Sequence, residues 1–152
     1  MSLEEIFEKV QKDPETKVNV QWVEKWLETI VDKDETYHYL ENKTTHSIHE
    51  DKEEILREFV EKDKWMNSLS MYRIINDLQD LRLGHHIRWI REKEDGTYLL
   101  TNGGILVQTK FLKNGVYVVC KNGYKIMQYQ LEKCITFQKI SAEEWIVLMA
   151  KG

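Results

Sequence analysis

In the front half of the chain, apolar residues recur at helical spacing. Leu3, Ile6, Phe7 and Val10 share one face, and Ser2 with Glu5 has the form of a capping box at that helix start. Pro14 and Asn19 interrupt, and a second stripe follows through Val20, Val23, Leu27, Ile30 and Val31, with Trp22 and Trp26 one turn apart beside it. The segment from Asp32 to His46 has no clear period and reads as a short helix or loop. Ser47 and Glu50 repeat the capping box and open a helix through Lys62, whose narrower stripe holds Ile48, Ile55, Leu56, Phe59 and Val60. A last helix is expected from about Leu69 to Leu81, carrying Leu69, Tyr72, Ile75 and Leu78 and capped at Gly84.

Beyond Gly84 the period changes to two. Asp95-Gly96, Asn102-Gly103, Asn114-Gly115 and Asn122-Gly123 are pairs that tolerate the positive φ of tight turns. The short runs between them predict a small antiparallel barrel or a strongly bent sheet. If Asn114-Gly115 and Asn122-Gly123 each form a two-residue turn, Phe111 faces Val118 and Val118 faces Met127. One face then gathers Ile105, Val107, Phe111, Val116, Val118, Cys120, Met127 and Tyr129, an apolar interior set. The other face carries Leu106, Gln108, Lys110, Leu112, Tyr117, Val119, Lys121, Tyr124, Ile126 and Gln128. It has too many aliphatic side chains for water alone, which marks it as a contact surface, either for another part of the chain or for a partner. The tail has a third capping box, Ser141 with Glu144, and a short helix that is apolar on most of its circumference.

Charge divides the chain at the same place. Residues 1–83 hold 20 acidic and 12 basic side chains, whereas residues 84–152 hold 6 and 10. All 7 glycines fall in the second part and the single proline in the first. Two regions are therefore expected: an acidic helical region over 1–83, and a basic β region with a closing helix over 84–152. The opening residues are acidic and amphipathic, unlike a secretory signal or transit peptide. No window approaches a membrane span. The 2 cysteines, Cys120 and Cys134, lack metal-ligand spacing, as expected of reduced thiols in an intracellular protein.

Few residues suggest chemistry. No phosphate-cradling loop, nucleophile elbow or dinucleotide fingerprint is present. The acidic runs lack the glycine of a calcium loop, and His46 with His49 has no fixed third ligand for zinc. Cys120 would need an exposed, activated thiol to act as a nucleophile, and the register buries it. The protein is thus expected not to be an enzyme and to need no cofactor or metal. The stretch from His85 to Arg91 sets Arg88 and Arg91 around Trp89, a pattern that suits single-stranded nucleic acid, although Trp89 on a strand face equally suits the core.

The segments LGHHIRWI, YLLTNGGILVQTKF, VYVVCKNGYKIMQYQL and CITFQKI resemble the small SH3-like and Tudor-like barrels, particularly those in uncharacterised proteins of large double-stranded DNA viruses. The resemblance covers roughly Leu83 to Ile140. It implies binding to peptides, modified side chains or nucleic acid, with Trp89, Tyr98, Tyr117 and Tyr124 as candidates for an aromatic cage. The expected fold is α+β, a helical N-terminal half followed by a small antiparallel SH3-like β-barrel and a short C-terminal helix. The expected function is a non-enzymatic binding or adaptor module that recognises a protein segment, and less readily nucleic acid. Its binding residues would be Arg88, Trp89, Arg91, Tyr98, Lys110, Tyr117, Lys121 and Tyr124. The alternative is an assembly protein, such as a virion component, that self-associates. No membrane partner is expected, and the location would be the host cytoplasm or nucleus, or the virion.

Overall fold

A computed structural model describes residues 34–150. The helices expected near Ser2–Val10 and 20–31 lie outside the described residues. Within them, a 3-10 segment, Asp34–Leu40, precedes helices α1 (Thr45–Leu56) and α2 (Lys62–Ser68). Strands β1 (Tyr72–Ile75), β2 (His86–Glu92), β3 (Tyr98–Leu100), β4 (Gly104–Leu112), β5 (Gly115–Asn122), β6 (Lys125–Gln130) and β7 (Ile135–Lys139) follow, and helix α3 (Ala142–Ala150) closes the order.

The strands form one 7-stranded antiparallel sheet in the order β1-β7-β2-β4-β5-β6, with β3 also on β2. Its end strands β1 and β6 do not pair with each other, so the expected closed barrel is corrected to an open sheet. The helical front half is corrected too. The helix expected over Leu69–Leu81 is replaced by β1 and a 3-10 turn at Leu78–Asp80. Apolar spacing there fits either period, and pairing with β7 (Tyr72 with Lys139, Ile75 with Thr136) decides it in favour of the strand. All four residues of β1 are buried, as in a strand covered on both faces.

The helix expected from Ser47 to Lys62 also differs. Thr44 is its cap: the Ser47 backbone N–H donates to Thr44 Oγ1 at 3.0 Å, and the Thr44 N–H donates to Ser47 Oγ at 2.8 Å. The helix ends at Leu56, and a turn leads into α2, leaving Val60 fully exposed and bringing Phe59 to Trp65 at a ring separation of 5.3 Å. Lys52 is buried and donates to the Leu69 carbonyl at 2.8 Å, just past the C-terminus of α2 where helix carbonyls lack partners.

The contacts divide the described residues into two compact units, 34–48 with 140–150, and 49–139. In the first unit, Ser141 and Glu144 form the expected capping box, with bonds of 2.9 and 3.1 Å. Tyr39 donates its hydroxyl to the buried Glu144 carboxylate at 2.6 Å. Tyr37 is pushed up to about 12 by burial and by the nearby Glu143 and Glu144. Trp145, Ile146, Val147 and Leu148 are all buried, as the apolar circumference of this helix requires.

In the second unit the two sheet faces make separate cores. One joins Leu56, Trp65 and Leu69 from the helical segment to Ile74, Ile90, Leu100 and Phe137. The other joins Ile75, Leu81, Ile87, Trp89, Leu106, Val118, Cys120 and Tyr129. This second face is concave. Trp89 on β2 and Tyr129 on β6 are separated by two strands, roughly 14 Å across a flat sheet, yet their rings stack at 4.1 Å. The sheet therefore bends sharply about β4 and β5.

The glycine pair at the start of β4 permits a close backbone approach. β3 and β4 pair in succession with the same edge of β2, opposite β7, through Ile90–Glu92 and then His86 and Ile87, and the run carries one extra residue between Leu100 and Gly104. A Cβ on Gly103 would lie 1.7 Å from the Ile87 carbonyl oxygen, and one on Gly104 would lie 2.7 Å from that of Lys121. Thr101 ties this extra stretch to β2, taking the Arg88 Nε–H on its carbonyl at 2.8 Å and donating its own N–H to the Trp89 carbonyl at 2.9 Å.

Candidate functional site

The two hairpins around β5 determine which backbone groups are available. Their closing pairs are Leu112 with Gly115 and Asn122 with Lys125, so the loops are Lys113-Asn114 and Gly123-Tyr124, each one residue away from the expected turns. Each displacement shifts the pairing by an even number, so Val118, Cys120, Met127 and Tyr129 keep the expected face. A bulge between Leu106 and Gln108 breaks that parity in β4. Leu106, expected outward, is buried, and Val107, expected inward, is 46% exposed; Phe111 keeps its expected face opposite Val116 but, near the hairpin end, is 72% exposed. Val119, expected on the outer contact face, is also buried.

In a two-residue hairpin the closing pair is hydrogen-bonded, and bonded and non-bonded pairs then alternate. Lys110 with Tyr117 and Gln108 with Val119 are therefore bonded pairs, like Leu112 with Gly115. Thr109 and Phe111 turn their N–H and C=O groups away from β5. On that side β4 meets β2 only through Gly104 and Ile105. The chain before β2 continues the pairing for one step, with Leu106 N–H to the His85 carbonyl at 3.0 Å and Gly84 N–H to the Leu106 carbonyl at 2.8 Å. Past Leu106 no described strand pairs with this side of β4, and among the described residues the edge from Val107 to Leu112 is open.

An open groove of about 310 Å³ lies along this edge, lined by Leu78, Leu81, Leu83, Leu106, Val107, Gln108 and Thr109. Its floor is the concave core, and Leu83 at its rim is 66% exposed. An unpaired strand edge beside an aliphatic groove can take up an extended backbone by hydrogen bonding and hold an alternate side chain by burial. Sequence reasoning misses this site, because the apolar spacing over Leu69–Leu81 predicts a helix there. The bulge gives no glycine signal in the sequence.

The far end of the β4–β5 hairpin is rigidly fixed. Gln130 Nε2 donates to the Asn114 carbonyl at 2.6 Å, Asn114 Nδ2 donates to the Tyr117 hydroxyl at 2.7 Å, and the Val116 N–H donates to the Glu132 carboxylate at 2.8 Å. That last bond holds the Glu132 carboxyl below its ordinary range.

The eight residues expected to bind do not converge. Trp89 is a core residue on Tyr129, and Arg88 is tied to Thr101. Arg91 is exposed on β2 and pairs with Leu99 of β3, near Tyr98, whose ring meets Phe59 edge-on at 5.1 Å. Lys110 and Tyr117 are directly paired, and Lys110 reaches Gln128 at 3.5 Å. Lys121 and the fully exposed Tyr124 sit at the opposite end of β5. The four aromatic side chains thus occupy separate places and form no cage. Among the described residues no group of three or more His, Cys, Asp or Glu is placed to hold a metal ion, and no helix is long and apolar enough to cross a membrane. Cys120 is a free, buried thiol, pushed up to about 11 by burial, and Cys134 is likewise free and raised.

No protein family matches the chain, and no solved structure matches it significantly. An uncharacterised protein of Acanthamoeba polyphaga mimivirus is 34% identical to it over 82 residues, 51% of this chain. The matched region spans 50% of that relative, so the chain covers about half the length of the curated protein it matches. The chain is therefore similar to a protein of a large DNA virus.

Proposed function

We propose that the protein is a non-enzymatic binding module that takes up an extended protein segment as an added strand on β4. The observation that carries this reading is the outward backbone of Thr109 and Phe111 on an edge whose Val107–Thr109 stretch lines a groove walled by Leu78, Leu81 and Leu83. Main-chain bonds would supply affinity, and the groove would select an aliphatic side chain at alternate positions. Nucleic acid fits less well, since aliphatic walls offer no base-stacking platform. The test is selection of random ten-residue peptides displayed on phage against the whole protein. Enriched peptides should alternate aliphatic residues with others and lose binding to a Thr109→Pro variant that keeps its thermal stability. Absence of enrichment, or peptides that bind the variant equally, would overturn the reading.

A second reading rests on a different edge. Among the described strands β6 pairs with β5 alone, and it carries Ile126, 70% exposed, beside the fully exposed Tyr124 of the turn. Such an edge suits assembly with further copies of the chain. Light scattering over a salt series tests it: a salt-resistant oligomer that Ile126→Lys dissociates supports assembly, and a monomer at all concentrations refutes it.

A further inference from the structure

The edge that would bind a segment also has a definite charge. Residues 104–130, which span β4, β5 and β6, contain Lys110, Lys113, Lys121 and Lys125 and no acidic residue. Lys113 lies in the turn at the free end of the β4 edge, and Lys110 lies on the sheet's outer face within that edge. The groove leucines lie against the opposite, concave face, where Leu81 and Leu106 join the core. A strand added to β4 would have its alternate side chains sorted between these two environments.

We infer, resting on the reading above, that the segment is acidic, with aspartate or glutamate alternating with aliphatic residues. The aliphatic side chains would face the leucine groove, and the carboxylates would face Lys110 and Lys113 on the outer side. Charge also sets the position of the acids along the edge. Asp77 and Asp80 adjoin the groove-lining Leu78 and Leu81 in sequence, and Glu132 is held at the turn on the Val116 N–H, so the carboxylates belong beside Lys110, between these two acidic positions, with Lys113 as the second cation. A single-stranded nucleic acid would satisfy the lysines but leave the Thr109 and Phe111 amides and the leucine wall without suitable partners.

The test is a titration of the isotopically labelled whole protein with three probes: a ten-residue alternating Glu-Val peptide, the matching Lys-Val peptide and a ten-nucleotide oligothymidylate. Amide shifts of Val107–Leu112 are the readout. The Glu-Val peptide is expected to shift these amides and to bind about tenfold more tightly than the Lys-Val peptide at low salt, a margin that two or three exposed charge pairs supply. The joint variant Lys110→Glu, Lys113→Glu should reverse the preference. If both peptides shift the β4 amides with equal affinity, the acidic preference is wrong while strand addition stands. If neither peptide shifts them, strand addition itself fails. If oligothymidylate alone binds, displacing lysine resonances without moving Thr109 and Phe111, the partner is nucleic acid and the inference is overturned.

Discussion

Trp89 and Tyr129 stack at a centroid separation of 4.1 Å and an interplanar angle of 19°, although β4 and β5 stand between their strands. The stack fastens the two ends of the bend, and the Tyr129 hydroxyl ties it to Thr136 on β7 at 2.9 Å. The concave face and the groove at its margin depend on this fastening. Trp89→Ala is expected to cost about 3–5 kcal/mol through the cavity it leaves. Tyr129→Phe keeps the ring and should cost about 1 kcal/mol for the lost hydrogen bond. Urea denaturation measures both. Near-equal costs would show that the stack does not hold the bend.

The close approach of Gly103 to the Ile87 carbonyl makes a second comparison. Gly103 and Gly96 both have positive φ, 73° and 85°, but a Cβ on Gly96 meets nothing within 4 Å. Gly96→Ala should therefore carry only the conformational penalty of about 1–2 kcal/mol. Gly103→Ala adds a collision with the Ile87 carbonyl and should cost more than about 3 kcal/mol or prevent folding. Thermal unfolding of the two variants separates the effects.

Alkaline pH should weaken the second unit. Burial raises the Cys120 thiol from 9.0 to about 11 and raises Tyr129 further still. The unfolded chain loses the Cys120 proton first as pH rises, so the stabilisation is complete below pH 9 and falls between pH 9 and about 11. Unfolding free energy measured across that range should decline less steeply in Cys120→Ala than in the parent. Reaction of Cys120 with a thiol reagent should stay slow at pH 8 until the protein is unfolded.

At the other end of the pH scale the Glu132 carboxylate acts. Its bond to the Val116 N–H holds its folded value low, so its contribution is present above the unfolded carboxyl range and is lost as pH falls through the folded value. Glu132→Gln should speed amide exchange at Val116 and leave the amides of β7 unchanged. Slowed or unaltered exchange at Val116 would remove Glu132 from any role in fixing the turn.

The sequence made some of this structure legible. The glycine pairs signal the hairpins of β4, β5 and β6, and because each one-residue loop displacement changes the pairing by two, Val118, Cys120 and Tyr129 fall on the expected interior face. The capping box at Ser141 was readable because its two bonds are local. What escaped was set by tertiary pairing. Tyr72–Ile75 fits helix or strand equally well until β7 lies beside it, and that assignment also concealed the groove leucines at 78 and 81. The bulge at Val107 carries no turn residue, so the sequence pattern puts Leu106 outward where the structure buries it, whereas Phe111 keeps its expected face opposite Val116. The short strand runs and the resemblance both suggest closure into a barrel, whereas β1 and β6 do not pair with each other.

Hydrogen exchange at individual amides of β4, with and without the alternating Glu-Val peptide, tests the open edge most directly. In the free protein Gln108 and Lys110 should exchange slowly and Thr109 and Phe111 quickly, and the peptide should protect the latter two. Protection of Thr109 and Phe111 before any peptide is added, or rapid exchange that the peptide leaves unchanged, would contradict strand addition at this edge.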